Sequence, residues 1–272
     1  MGCNHDCSNC SVKDCNDRKS LLAETAKENS IKKIIGVVSG KGGVGKSTVT
    51  SLLALNMAKK GYKVGIMDAD ITGPSIPKAF GITNQIMGNG ELMFPQLSKL
   101  GIKIISVNLL IEEPDKPVLW RGPVIGGAVK QFYTDVLWED LDFLFIDMPP
   151  GTGDVALTVF QSIPVDEVII VSTPQDLVSM IVGKAVNMCK MMNIPMLGLV
   201  ENMSYMECPC CGEKLHPFGT SKLEEVASTY DLMPLDQMPI QPDTANLVDQ
   251  GLIEEADASV LDIAASQLVA LL

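Results

Sequence analysis

The stretch "IIGVVSGKGGVGKSTVTSLLALNMAKKG", residues 34–61, constrains the fold more than any other part of the chain. A β-branched apolar run, Ile34 to Val38, leads into Gly40, Lys41, Gly42, Gly43, Val44, Gly45, Lys46 and Ser47, which satisfy G-x-x-x-x-G-K-[ST]. A helical pattern opens at once, with Thr48 in its first turn, and closes near Gly61, where a C′ glycine is expected. Strand, loop and helix in this order predict a phosphate-binding loop. Its glycines let backbone N–H groups approach an anion, and the helix N-terminus adds partial positive charge. Lys46 then neutralises β- and γ-phosphates, and the Ser47 hydroxyl is placed to ligate Mg²⁺.

The remainder reads as α/β. Short runs with little polar alternation recur as "KVGIMDAD", "IKIISVNLL", "DFLFIDMPP", "EVIIVSTP" and "MLGLVENM", mostly separated by longer helical patterns. Such runs suit strands covered on both faces, so a doubly wound, mostly parallel sheet flanked by helices is expected. No internal repeat or second core is evident, and residues 31–272 are read as one domain. Residues 1–30 stand apart as a cysteine-rich N-terminal extension.

Charge removes several function classes. The chain carries 33 acidic against 21 basic residues, a formal net charge of −12, and no Lys or Arg follows Lys222. A nucleic-acid-coating surface needs clustered basic residues, and a basic membrane-binding C-terminal helix is equally absent. No 18-residue apolar run and no apolar leader is visible, so a cytoplasmic protein is expected. There, eight cysteines are more often metal ligands or redox groups than disulfides.

Two further strands should end beside the phosphate loop, because ligands sit at strand carboxyl ends in such sheets. "VGIMDADITGPS" delivers Asp68 and Asp70, and "FLFIDMPPGTGD" delivers Asp147. A carboxylate there is costly unless it serves a bound cation or water, or caps the next helix. Asp147 suits a ligand of Mg²⁺, direct or through water; Asp154 reads as a cap.

The cysteines fall into two groups. Cys3, Cys7, Cys10 and Cys15, spaced C-x₃-C-x₂-C-x₄-C, are enough thiolates for one [4Fe–4S] cluster or one tetrahedral zinc. In "MECPCCGEK", Cys208 and Cys211 form a C-x-x-C pair with Cys210 between them. No second pair follows downstream; there is only His216. Two copies of the chain, each giving two thiolates, would complete a four-thiolate site on a two-fold axis, which favours a bridging cluster in a homodimer. Cys189 reads as core, as does much of the Met-rich segment 188–206. His5 and His216 are too few to support acid–base chemistry.

Lys41 makes the loop K-G-G-x-G-K-[ST], which resembles the deviant loop of the MinD/ParA/nitrogenase iron-protein class. That resemblance implies an ATP-sandwich homodimer in which Lys41 reaches the nucleotide of the facing subunit. It also implies that Asp70 orients the attacking water, Asp68 supports the Mg²⁺ shell and Asn202 contacts the adenine ring. More narrowly, "GKGGVGKST", "DADITGPSIP", "WRGPV", "LDFLFIDMPPGTGD", "STPQDLVSM", "ENMSYMECPCCG" and "PIQPDTANLVDQG" are similar to the Mrp/ApbC iron–sulfur cluster carrier ATPases. The N-terminal cysteines resemble the extension of the Nbp branch. The resemblance implies a slow, cytosolic, homodimeric ATP hydrolase. It would bind a labile cluster at Cys208 and Cys211 and deliver it to apo-protein clients alongside the cluster assembly machinery. Two features differ: Ile181 and Val182 stand where many members carry an acidic residue, and the N-terminal quartet is more compact than is typical. The alternatives are an electron donor of the nitrogenase iron-protein type, whose ligand cysteines are widely separated, and a MinD/ParA-like positioning switch.

Overall fold

The computed structural model describes residues 21–70, 73, 75–110, 122–177 and 180–272. The N-terminal quartet Cys3, Cys7, Cys10 and Cys15 lies outside them. In chain order the main elements are β1 (Ser30–Ser39), α1 (Lys46–Lys59), β2 (Val64–Asp68), α2 (Ile76–Ala79), a β3–β4 hairpin (Met87–Gly88, Met93–Phe94), β5 (Gln96–Leu97) and β6 (Lys103–Ser106). Then come α3 (Gly122–Thr134), β7 (Asp140–Asp147), α4 (Asp154–Ser162), β8 (Glu167–Ser172), α5 (Pro174–Leu177) and α6 (Met180–Met191). The last are β9 (Met196–Glu207), β10 (Lys214–Leu215), α7 (Leu223–Tyr230), β11 (Pro234–Pro239), α8 (Pro242–Gln250) and α9 (Asp262–Val269).

One sheet runs β10-β9-β8-β1-β7-β2-β6-β5, with β11 also paired to β9. The pairings among β6, β2, β7, β1, β8, β9 and β11 are parallel, and only β5 and β10 join antiparallel. The doubly wound, mostly parallel sheet expected from the sequence is therefore present. Helices cover both faces. α3, α4, α6 and α7 bury Phe132, Phe160, Val186 and Val226 on one side. α1, α2 and α9 bury Leu52, Leu53, Ile76 and Leu268 on the other.

Helix α1 is apolar nearly all round because the sheet and α9 both pack on it: Val49, Leu52, Leu53, Leu55 and Met57 are fully buried. Truncating Leu52 to Ala would cost about 2–5 kcal/mol on that account. This rigid packing fixes the loop before α1 against the sheet. Residues 21–29 lie along the domain: Ala23 N–H donates to the Ser162 carbonyl at 2.8 Å, and the Asn29 amide to the Val136 carbonyl at 2.9 Å. Strand β11 had no clear sequence signal, since Pro234 and Pro239 bound it and only three register positions tie it to β9. No described helix is long and apolar enough to cross a membrane.

Candidate nucleotide site and cysteine hairpin

The carboxyl ends of β1, β2 and β7 meet in register. Asp147 pairs with Val37 on one side and Asp68 on the other, so both aspartates stand beside the loop that follows β1. In that loop Gly43 and Gly45 take φ of +84° and +79°, a region costly for side chains with a Cβ. Gly45 serves as N-cap of α1, which turns the first helical amides toward the loop. A cleft of about 260 Å³ opens here, lined by Lys41, Gly43, Lys46, Ser47, Asp70 and Pro150 among others.

Three side chains of α1 converge on Asp147. Lys46 Nζ lies 2.7 Å from Oδ1, Ser47 Oγ donates to Oδ2 at 2.6 Å, and Thr50 Oγ1 donates to Oδ1 at 2.9 Å. Lys46 is also 3.7 Å from Asp70 Oδ2, so one buried cation faces two carboxylates. Asp68 accepts from the Ser106 hydroxyl at 3.0 Å and from the Asp70 N–H at 3.1 Å. Burial, and behind it the neighbouring Asp147 carboxylate, holds the Asp68 carboxyl well above the usual range. Sequence reasoning missed Thr50 and Ser106. Thr50 was findable, because it lies one turn beyond Lys46 on the same helix face; Ser106 required the β2–β6 register.

One expectation is changed. Asp154 does not cap α4: Gly153 holds the N-cap position without a side-chain bond, and Asp154 sits in the first turn, where its charge complements the helix dipole. Ile181 packs on the loop itself. A Cβ at Gly40 would come within 2.2 Å of the Ile181 side chain, so Gly40 is required by close approach.

Asn202, on β9, donates from Nδ2 to the Val44 carbonyl at 2.9 Å and accepts the Met203 N–H on Oδ1 at 2.9 Å. Both ends of its amide are thus engaged within the chain. It also lines a second cleft of about 300 Å³ with Gly45, Thr48, Pro239, Gln241 and Thr244, continuous with the loop and large enough for a planar base.

Six residues beyond Asn202, just past the end of β9, comes Cys208. The hairpin to β10 is closed by Cys208 N–H to the Glu213 carbonyl at 2.9 Å and Gly212 N–H to the Cys208 carbonyl at 2.8 Å. Cys208 is half-buried, whereas Cys210 and Cys211 are exposed. The backbone N–H groups of Cys210 and Cys211, together with the Cys211 thiol, hold the Cys208 thiol below its ordinary value. More of it is therefore thiolate, the form that binds metal, than of an ordinary thiol. Cys189 behaves oppositely: burial pushes it up to about 12. Among the described residues no three His, Cys, Asp or Glu side chains converge so as to hold a metal ion.

A parallel sheet with this loop and these strand-end aspartates defines a P-loop NTPase. Within that class the match is specific. The chain belongs to the NUBPL iron-transfer P-loop NTPase family, in the ParA group, over residues 30–270. It is 51% identical to the iron-sulfur cluster carrier protein of Clostridium perfringens over 234 residues, 83% of this chain and 82% of the relative. It is 44% identical to that of Methanocaldococcus jannaschii over 258 residues, 92% of this chain and 89% of the relative. Among solved structures, a nucleotide-binding protein in complex with ADP from Archaeoglobus fulgidus is 43% identical at a TM-score of 0.76, covering 89% of this chain and 93% of its own. The MinD cell division protein of Aquifex aeolicus, 20% identical over 88% of this chain and 96% of its own at a TM-score of 0.59, shares the fold.

Proposed function

We propose that the protein is an ATP-using carrier of iron–sulfur clusters. It acts as a homodimer in which Cys208 and Cys211 of each chain together hold one labile [4Fe–4S] cluster as cargo for apo-protein clients. The carrying observation is the hairpin: an exposed thiol and a half-buried one, the latter biased to thiolate, with no third ligand among the described residues. Four thiolates are needed, and a two-fold axis supplies the other two. The iron-transfer family and the carrier relatives favour this over an electron donor or a positioning switch.

In the nucleotide half, backbone amides at the start of α1 and the Lys46 ammonium take the ATP phosphates. Ser47 and Asp147 present hard oxygen donors 2.6 Å apart, a set suited to Mg²⁺, with Asp68 behind them. When bound, Mg²⁺ neutralises phosphate charge. Asp70 orients the attacking water, Lys41 reaches the nucleotide of a second copy, and Asn202 borders the base. The N-terminal quartet, Cys3, Cys7, Cys10 and Cys15, is a second cluster or zinc site on an extension distinct from the 31–272 domain. The setting is the cytoplasm, beside the cluster assembly machinery, without nucleic-acid or membrane partners.

Anaerobic reconstitution with iron and sulfide tests the cargo site. The parent should turn brown, and a Cys208→Ser/Cys211→Ser variant should lose the bridging cluster: about a third of the bound iron if both N-terminal quartets hold [4Fe–4S] clusters, and all of it if they hold zinc. Equal iron in variant and parent would sink the reading.

A further inference from the structure

Strand β9, which leads into Cys208, is irregular where it passes the phosphate loop. Along β11, Gln237 pairs with Glu201 and Pro239 with Tyr205, so two steps of one strand span four of the other. Residues 202–204 therefore bulge out of the ladder. Met203 takes a φ of +56°, a left-handed conformation that a long side chain rarely adopts. Bulges and left-handed non-glycine residues concentrate at functional sites and persist where specific contacts hold them.

Those contacts run in two directions. Toward the nucleotide, Asn202 Nδ2 donates to the Val44 carbonyl inside the phosphate loop at 2.9 Å. A Cβ at Gly45 would lie 2.2 Å from the same nitrogen, so bulge and loop are in close contact there. Toward the cysteines, His216 Nδ1 lies 3.2 Å from the Ser204 carbonyl. A carbonyl only accepts, so Nδ1 carries the proton in this bond. His216 directly follows β10, whose Leu215 and Lys214 pair with Met206 and Glu207, the two residues before Cys208. Beneath the bulge, the Ser204 hydroxyl donates to the Glu201 carboxylate. That carboxyl is fully buried, and its second oxygen, Oε1, has no partner.

We propose that the bulge at 202–204 is a relay through which nucleotide at the phosphate loop sets the lability of the metal cargo at Cys208 and Cys211, with His216 as the positioning residue that ties bulge to hairpin. Phosphates drawn onto the loop amides shift the Val44 carbonyl, and Asn202 follows. A bulge pinned by a few discrete bonds then changes arrangement rather than deforming smoothly, and the Ser204–His216 bond carries the change to the hairpin. The relay rests on the cargo reading above, and its failure has a different signature.

The test uses full-length protein reconstituted with iron and sulfide under anaerobic conditions. Iron removal by a coloured ferrous chelator is timed with and without a non-hydrolysable ATP analogue and Mg²⁺. The parent's two rates should differ by at least about fivefold, the lower end of ordinary site-to-site coupling. His216→Ala should keep the parent's iron content and nucleotide affinity while the ratio of rates falls toward one. His216→Asn, whose amide can donate to the Ser204 carbonyl, should restore the ratio. A parent ratio of one, or an unchanged ratio in His216→Ala, overturns the relay and leaves the carrier reading standing. Loss of iron from His216→Ala makes His216 a ligand and overturns the relay as well. Full iron in the Cys208→Ser/Cys211→Ser variant removes both.

Discussion

Replacing Gly45 with alanine separates two physical demands on the phosphate loop. At φ +79° a Cβ meets the left-handed penalty of about 1–2 kcal/mol. The same Cβ would sit 2.2 Å from Asn202 Nδ2, so the amide must leave the Val44 carbonyl. Stranding that buried pair costs about a further 1–3 kcal/mol. Gly43 is the internal control: its φ is +84°, yet nothing lies within 4 Å of its Cβ position, so it meets only the first cost. If phosphate binding needs the loop as built, Gly43→Ala weakens ATP binding by about 5–30-fold. Gly45→Ala should weaken it by about a further 5–150-fold. Calorimetric or fluorescent titration with Mg²⁺·ATP measures both, and circular dichroism confirms that each variant folds. In an Asn202→Ala background the added penalty of Gly45→Ala should shrink to that of Gly43→Ala. Equal effects of the two glycine variants in the parent, or an undiminished penalty without Asn202, would refute the reasoning.

Thiol reactivity should follow the hairpin geometry. Brief alkylation near neutral pH, read by mass spectrometry, should mark Cys208 as reactive at a pH where an ordinary thiol, pKa ~8.5, is mostly protonated. Cys189, held at about 12, should react only after unfolding. Asp68→Asn should raise the melting temperature of the nucleotide-free protein. Because the folded-state carboxyl is raised, its ionisation is favoured in the unfolded chain, so the parent loses stability as pH rises from the unfolded value of ~3.9 through the folded one. The gain should therefore be largest at neutral pH and vanish in acid; a pH-independent difference counts against the assignment. Lys46→Ala should abolish nucleotide binding, whereas Lys41→Ala should bind ATP and lose turnover. If Lys41→Ala turns over normally, Lys41 does not act across the dimer.

The doubly wound sheet was legible because its strands announce themselves locally: β1, β2, β7, β8 and β9 each contain an apolar run of at least four residues, and the glycines and Gly61 bracket α1. Strand β11 was not, since Pro234 and Pro239 make sense only against β9. The phosphate-loop lysine and serine follow from spacing alone, because one strand, one loop and one helix are contiguous in the chain. Their convergence with Thr50 on Asp147 depends on the register that sets Asp147 between Val37 and Asp68.

The sequence by itself determined that the chain winds a parallel sheet with a phosphate loop at its mouth, and that it carries one C-x-x-C pair with no second pair downstream. Both are properties of short windows, where backbone geometry and thiol count decide. Only the tertiary structure set Asn202 against Val44, raised the Asp68 carboxyl, folded the Cys210 and Cys211 amides onto Cys208, and hung the cysteine hairpin from a bulge touching the phosphate loop. Each depends on which strand lies beside which, and on what that neighbour takes away from water.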